Sequence, residues 1–335
     1  MITLGIETSC DETAAAIIKD GRNILSNVVA TSKDMHAETG GIIPEEAARE
    51  QVASIIPVIK EALKKAKIKK GGINNIAVTA GPGLIGSLLV GVETAKTLSC
   101  VWEKPIIPVN HLAAHIYANW LENEPPSFPA LALVVSGGHT DLVIMRGHDD
   151  FEWIGGTRDD AAGEAFDKTA RLLELPYPGG PSISKEAEVY LKNNQIQLNF
   201  FPRPMIDENN YDFSFSGLKT AVQREIEENG KKDVARLAAE VQEAIVDVLL
   251  SKTVSAANEF KPKSLLLAGG VAANKRLREK FKSAVKDMDI DLIVPPPNLC
   301  TDNATYIAAY AYYNQKELGW EKVTANPNLE ITGEA

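Results

Sequence analysis

Ile2-Thr-Leu-Gly-Ile-Glu-Thr8 leads through Cys10-Asp11-Glu12 into residues 13–19, and a turn at Asp20-Gly21 leads on to residues 23–29. β-Branched and apolar runs broken by short polar turns are what hairpins require, so the stretch reads as strand, turn, strand, turn, strand. The same plan returns at residues 130–135, Ser136-Gly-Gly-His139, residues 140–146, Gly147-His148 and residues 151–154. Helical periodicity follows each meander, over residues 45–65 and 161–174, and strands then alternate with helices. Residues 76–79 form a buried strand before Ala80-Gly-Pro-Gly83 and a helix over 84–99. Residues 263–267 form another, ending in Ala268-Gly269-Gly270, and residues 292–294 with a helix over 304–313 close the pattern. Pro57 inside the 45–65 helix predicts a kink. The tail from Glu321 to Ala335 has weak periodicity and is expected to be loose.

A βββαβα unit occurring twice is the plan of the actin, Hsp70 and hexokinase ATPase class. The expected fold is therefore a duplicated α/β fold of that class, with two lobes around a central cleft. Residues 1–118 with 296–335 form the first lobe and carry the metal ligands, and residues 119–295 form the second and bind nucleotide. Two unrelated meanders are the bland alternative; two further glycine-rich turns in the expected order favour duplication.

The chain has 335 residues, 44% hydrophobic and 24% charged, ordinary for a globular protein and long for a single core. No apolar run reaches the roughly 18 residues of a membrane helix, and the first residues read directly as a strand. A cytoplasmic location is expected. Cys10, Cys100 and Cys300 are scattered, which argues for a reducing compartment. The net charge of −10 means that affinity for a nucleic acid has to come from a local patch or a basic partner. Lys60, Lys64, Lys65, Lys67, Lys69 and Lys70 are the one obvious basic cluster, and a solvated helix face is the commoner meaning of such a run.

Ser136-Gly137-Gly138 is a hairpin turn whose backbone N–H groups can approach an anion. Ala268-Gly269-Gly270-Val-Ala-Ala-Asn274 takes a buried strand into a helix start, where an adenine or ribose can lie against backbone. Asn274 is equally a helix-capping side chain. Gly86 and Gly91 place small residues along the 84–99 helix, a structural packing feature and a candidate hinge between lobes.

His111 and His115 stand at i and i+4 on a helix after the strand 106–109, on one face and within reach of one metal ion. Two satisfied histidines are the alternative. In HExxH proteases a glutamate follows the first histidine, and here that position is Leu112. The metal reads as a holder or polariser of substrate. Asp302, just after a strand and at a helix start, is the candidate third ligand, although a helix dipole alone favours a carboxylate there. Two histidines and one carboxylate leave open positions, as in catalytic zinc and non-haem iron sites.

Gly5-Ile-Glu-Thr-Ser-Cys-Asp-Glu-Thr13, Asn110-His-Leu-Ala-Ala-His115, Ser136-Gly-Gly-His-Thr140, Gly163-Glu-Ala-Phe-Asp167-Lys, Tyr177-Pro-Gly-Gly-Pro181, Asp212-Phe-Ser-Phe-Ser-Gly-Leu-Lys219 and Ala268-Gly-Gly-Val-Ala-Ala-Asn274 together resemble the TsaD family of tRNA adenosine threonylcarbamoyltransferases. These proteins were once described as sialoglycoprotein endopeptidases. The resemblance covers residues 2–313 and is nearest the bacterial branch. It implies transfer of threonylcarbamoyl from threonylcarbamoyl-AMP to N6 of the adenosine next to the anticodon, in tRNAs reading codons that begin with adenosine. It further implies His111, His115 and Asp302 as ligands of one iron ion, with zinc as the alternative. Val134, Val135, Ser136, Gly137, Gly138, Asp167, Gly180 and Asn274 are the implied substrate-binding positions. Ser184, where many relatives have Asp, departs from the pattern.

The expected chemistry is positioning and charge stabilisation, because a mixed anhydride already carries a good leaving group. Asp11 and His139 are the candidate bases for the weakly nucleophilic N6 amine. Asp11 could instead simply close its turn, and His139 could be an outer-shell group. The implied partners are tRNA, the intermediate or an ATP-type nucleotide, a TsaB-like paralogue, a TsaE-like ATPase and a TsaC-like synthase. No membrane is involved. A free-standing ATPase or sugar kinase, a metalloprotease and a non-catalytic nucleotide-binding scaffold are the rival readings.

Overall fold

The structure, a computed structural model, describes residues 1–31, 43–122, 124–193, 198–231 and 233–335. The chain divides into two compact units, Met1–Pro125 with Pro295–Ala335, and Pro126–Val294.

The first unit is built on β1 (Ile2–Glu7), β2 (Glu12–Lys19), β3 (Asn23–Thr31), β4 (Asn75–Gly81) and β5 (Ile106–Asn110) in the order β3-β2-β1-β4-β5. β1 runs antiparallel to β2 and parallel to β4. Its helices are α1 (Pro44–Ala66), α2 (Ile85–Trp102) and α3 (His111–Ile116). The second unit repeats the plan. Its strands are β6 (Ala130–Val135), β7 (Thr140–Met145), β8 (Phe151–Gly156), β9 (Ser264–Ala268) and β10 (Asp291–Ile293), ordered β10-β9-β6-β7-β8. β6 pairs antiparallel with β7 and parallel with β9, so each unit has the same meander extended by two parallel strands. Its helices are α4 (Ala162–Leu172), α5 (Gly179–Asn193), α6 (Ser216–Asn229), α7 (Val234–Phe260) and α8 (Lys275–Ala284). The last helix, α9 (Thr305–Tyr313), belongs to the first unit. The duplication expected from the two meanders is present strand for strand.

In β1 the period-2 alternation of a strand sorts the side chains. Leu4 and Ile6 join Ile55, Ile59, Ile76 and Val78 in a buried core under α1 and α2. Each such Ile or Leu contributes roughly 1.5–3 kcal/mol by leaving water. Gly5 points the other way, where a Cβ would lie 2.3 Å from the Ala304 carbonyl oxygen. Only a glycine lets the start of α9 sit that close to the strand.

Three expectations need correction. The first unit extends to Pro125 and not to 118. Tyr117 stacks on Trp120 at 4.9 Å, and its hydroxyl accepts from Asn314 Nδ2 at 2.8 Å, which holds this segment in the first core. α2 lies wholly within the first unit, so it is no hinge between units. Its Gly91 instead seats the helix on Thr8, whose Oγ1 would be 2.3 Å from an added Cβ. The tail is not loose: Val323, Leu329 and Ile331 are buried, and Asn326 N–H donates to Ala80 O at 2.7 Å. α1 continues through Pro57 as one element from Pro44 to Ala66.

Candidate metal and substrate centres

In the first unit, β5 ends at Asn110, which caps α3. Its Oδ1 accepts from Leu112 N–H at 3.0 Å and Ala113 N–H at 3.2 Å. Its Nδ2 donates to the carbonyls of Glu330 and Gly333, tying the tail to the helix that carries both histidines. One turn of α3 sets His111 and His115 side by side with ring centroids 4.5 Å apart, and both are buried. Asp302 arrives from just ahead of α9. Its Oδ1 lies 3.3 Å from His115 Nε2 and 3.7 Å from His111 Nε2. Ligand-type atoms of the three residues all fall within 4.8 Å of one another, as a single ion requires.

Asn303 Oδ1 receives the Thr305 N–H at 3.0 Å, and Asp302 turns to the histidines. Two imidazoles and a carboxylate are donors that iron(II) or zinc accepts, so the residues fit the expected ion. Leu112, at 2% exposure, offers no base where a protease needs one.

Two residues at this centre escaped the sequence reading. Glu7 is fully buried at the end of β1, with Oε2 2.9 Å from His111 Nδ1 and accepting from the Thr79 hydroxyl. Tyr306 places its hydroxyl 3.4 Å from both His115 Nε2 and Asp302 Oδ1. A carboxylate inside an apolar strand was the signal for Glu7; nothing local marked Tyr306. Burial opposes charging His111, but the Glu7 and Asp302 carboxylates outweigh it and push its pKa up to about 9. Burial and then the neighbouring His111 hold His115 below the ordinary histidine range. Burial also works against the Glu7 anion, yet His111 opposite keeps its pKa low. Asp11 is 8% exposed in the β1–β2 turn of the same unit.

In the second unit, Ser136-Gly137-Gly138-His139 is the tight β6–β7 turn, closed by Ser136 N–H donating to His139 O at 2.9 Å. Val134 and Val135 are fully buried in β6, so only their backbone can meet a ligand. Gly163 packs on the Ser136 carbonyl, and Gly269 on that of Val135, each with room for no Cβ beyond 2.4 Å. These close approaches bring α4 and the β9 exit against the turn. Gly137, Gly138, Gly180 and Gly270 have nothing within 4 Å of an added Cβ, leaving their backbone approachable.

Asp167 Oδ1 receives the Gly179 N–H at 2.7 Å, while burial pushes its pKa above the usual carboxylate range. Asn274 caps α8 through Leu277 N–H, and its Nδ2 donates to Ser184 Oγ at 2.9 Å and Gln242 Oε1 at 3.0 Å. The cap expected of Asn274 is present, and Ser184 is a further partner of its side chain. Asp159 receives the N–H groups of Phe215 and Ser216, fixing the Asp212–Lys219 motif at the start of α6. The six lysines of the basic cluster, on α1 and the turns after it, are all exposed. Among the described residues no helix is long and apolar enough to cross a membrane.

Comparison with known proteins gives a consistent result. The family model TsaD, described as tRNA N6-adenosine threonylcarbamoyltransferase, matches residues 23–309. A relative of that name from Thermomicrobium roseum is 52% identical, covering 99% of this chain and 95% of its own. Among solved structures, HypF of T. kodakarensis matches with a TM-score of 0.62 at 15% identity, over 96% of this chain and 47% of that one. A ROK family glucokinase from Streptomyces griseus matches with a TM-score of 0.50 at 13% identity, over 94% and 100%. These two share the fold alone, the two-lobed α/β ATPase class expected from the duplicated meander.

Proposed function

We propose, for a chain that belongs to the TsaD family of tRNA N6-adenosine threonylcarbamoyltransferases, that it works with one metal ion held by His111, His115 and Asp302. The enzyme is an acyltransferase that modifies tRNA. Its donor is threonylcarbamoyl-AMP and its acceptor is the N6 amine of the adenosine next to the anticodon. The observation that carries the metal reading is the convergence of three ligand atoms, from two distant parts of the chain, within 4.8 Å. The ion is iron, with zinc as the alternative that the same donors accept.

Bound there, a divalent cation supplies Lewis acidity toward the oxygens of the carbamate and a template that orients them. The chain's own residues do the rest. The approachable backbone of Gly137 and Gly138 donates N–H groups to the phosphate, and Gly180 and Gly270 admit the flat nucleoside. Val134, Val135 and Asn274 shape this site from behind, and Asp167 holds the Gly179-Gly180 turn in place. The N6 nitrogen attacks the carbamoyl carbon, the C–O bond to AMP breaks, and AMP leaves with the electron pair. The amine proton passes to Asp11 or His139. A chain of net charge −10 gains its tRNA affinity with help. A TsaB-like paralogue, a TsaE-like ATPase and a TsaC-like synthase are the proposed partners, in the cytoplasm.

His115→Ala tests this reading by metal analysis, nucleotide titration and transfer rate. The expected result is loss of metal and of transfer with nucleotide binding kept. Wild-type metal content together with wild-type transfer would remove the site from the account.

A further inference from the structure

We propose that Glu7 is the positioning residue of the centre assigned above to His111, His115 and Asp302: its carboxylate fixes which nitrogen of His111 faces the other two ligands and holds the ring at that angle. The inference rests on that reading of the trio. Glu7 is the last residue of β1 and is fully buried. Its described partners are all hydrogen-bond donors: Ser9 N–H on one oxygen, and Thr79 Oγ1 and His111 Nδ1 on the other. No lysine or arginine stands among them. A buried carboxylate in that situation persists only when its donors are well placed and a cation is near.

A carboxylate only accepts, so the 2.9 Å contact puts the proton on His111 Nδ1. The lone pair of the neutral ring is then left on Nε2, the atom that faces Asp302 Oδ1 at 3.7 Å. The brace itself is rigid. Thr79 sits on β4, which pairs in parallel register with β1, and Ser9 is held in the turn that follows β1. His115 differs: among the described residues its Nδ1 finds no hydrogen-bond partner, and its ring is set from the Nε2 side by Asp302 Oδ1 at 3.3 Å and by Tyr306, whose ring centroid lies 4.5 Å away. The two histidines are therefore held by different means, and among the described residues only His111 is braced at Nδ1, the nitrogen away from the other two ligands. Such outer partners orient the ring and raise ligand basicity.

The test uses the whole chain stripped of metal and titrated with Co2+ alone, read by its visible spectrum. The 15N imidazole shifts of His111 are recorded before metal is added, at about pH 10 where the ring is neutral, and ADP binding reports that the fold is kept. Glu7→Gln is expected to lower Co2+ affinity about 10–100-fold and to move the His111 shifts away from the Nδ1–H pattern. Thr79→Val, which keeps the carboxylate but frees it, is expected to act in the same direction by less. Wild-type affinity and wild-type shifts in Glu7→Gln would overturn the proposal. So would a variant that melts earlier but binds Co2+ normally per folded molecule, since that is a structural role. If Glu7→Gln does not fold, Thr79→Val decides, and unchanged affinity with unchanged shifts overturns the idea. Co2+ uptake that His115→Ala leaves intact would refute the trio itself and this proposal with it. Uptake lost in His115→Ala but retained in Glu7→Gln refutes the positioning role alone.

Discussion

Gly5→Ala tests whether the packing of α9 on β1 sets the geometry of the candidate metal centre. The new Cβ would stand 2.3 Å from Ala304 O, 3.0 Å from Ala308 Cβ and 3.1 Å from Ala308 N, where ordinary contact begins at 3.4 Å. The shortfall is about 1.1 Å, and the obstacle is backbone, which cannot swing aside as a side chain would. β1 cannot retreat either, because Leu4 and Ile6 are fully packed on its other side. The start of α9 has to move by about an ångström, and Asp302 lies two residues before Ala304. Metal ligation tolerates only about 0.2 Å. Overpacking of this kind costs about 1–3 kcal/mol, which lowers Tm by roughly 2–12 °C. The assay is thermal unfolding together with metal content per folded protein at a limiting metal concentration and 25 °C. Gly71→Ala is the control, since nothing lies within 4 Å of its added Cβ. A lowered Tm with undiminished metal content would refute the link from Gly5 to Asp302. An unchanged Tm would refute the packing argument as well.

Two other predictions are independent of the metal. Glu243 accepts from Arg276 through two bonds of 2.9 Å and also pairs with Lys280; these partners overcome burial and hold its pKa below the usual range. A depressed pKa contributes stability above the unfolded value near 4.3, and that contribution is lost as pH falls through the folded one. Glu243→Gln should cost about 1–3 kcal/mol at pH 7, and denaturant unfolding should show the gap to wild type closing toward pH 3; a gap equal at both pH values contradicts the pairing. The isolated chain should bind tRNA weakly at physiological salt, and Lys64→Glu with Lys67→Glu should weaken it further; in a filter-binding titration, binding indifferent to that pair removes the cluster from the interface.

The strand meanders were legible because turn chemistry and period-2 alternation are local signals. His111 and His115 were legible for the same reason, being one helical turn apart. Asp302 could be singled out from its place between a strand and a helix, but not its direction. That depends on the turn around Asn303, whose side chain takes the Thr305 N–H. Glu7 was missed because its meaning lies in a partner 104 residues away. Asn274 left two readings open: its cap on α8 is local, but its bonds to Ser184 and Gln242 come from helices that only tertiary packing brings together. The tail misled for a related reason: its anchors, Ala80 and Asn110, are backbone and side-chain groups with no periodic signature.

The first unit is made from both ends of the chain, and this has a consequence for its synthesis. A ribosome that has completed residues up to Pro125 must still make Pro126–Val294 before α9 exists. At about 5–20 residues per second the half-covered sheet waits on the order of ten to thirty seconds. During that time the face of β1 and β2 that α9 will cover is open to other nascent chains. Among its residues are Gly5, Ala14 and Ala16, which meet Ala304 in the finished unit. Small side chains make close packing possible in the end, and in the meantime they limit the large apolar surface offered to an aggregating neighbour to the Ile18 end of the face. Leu4, Ile6 and Ile17 of the same strands point to the face that α1 and α2 cover, helices already synthesised when the wait begins.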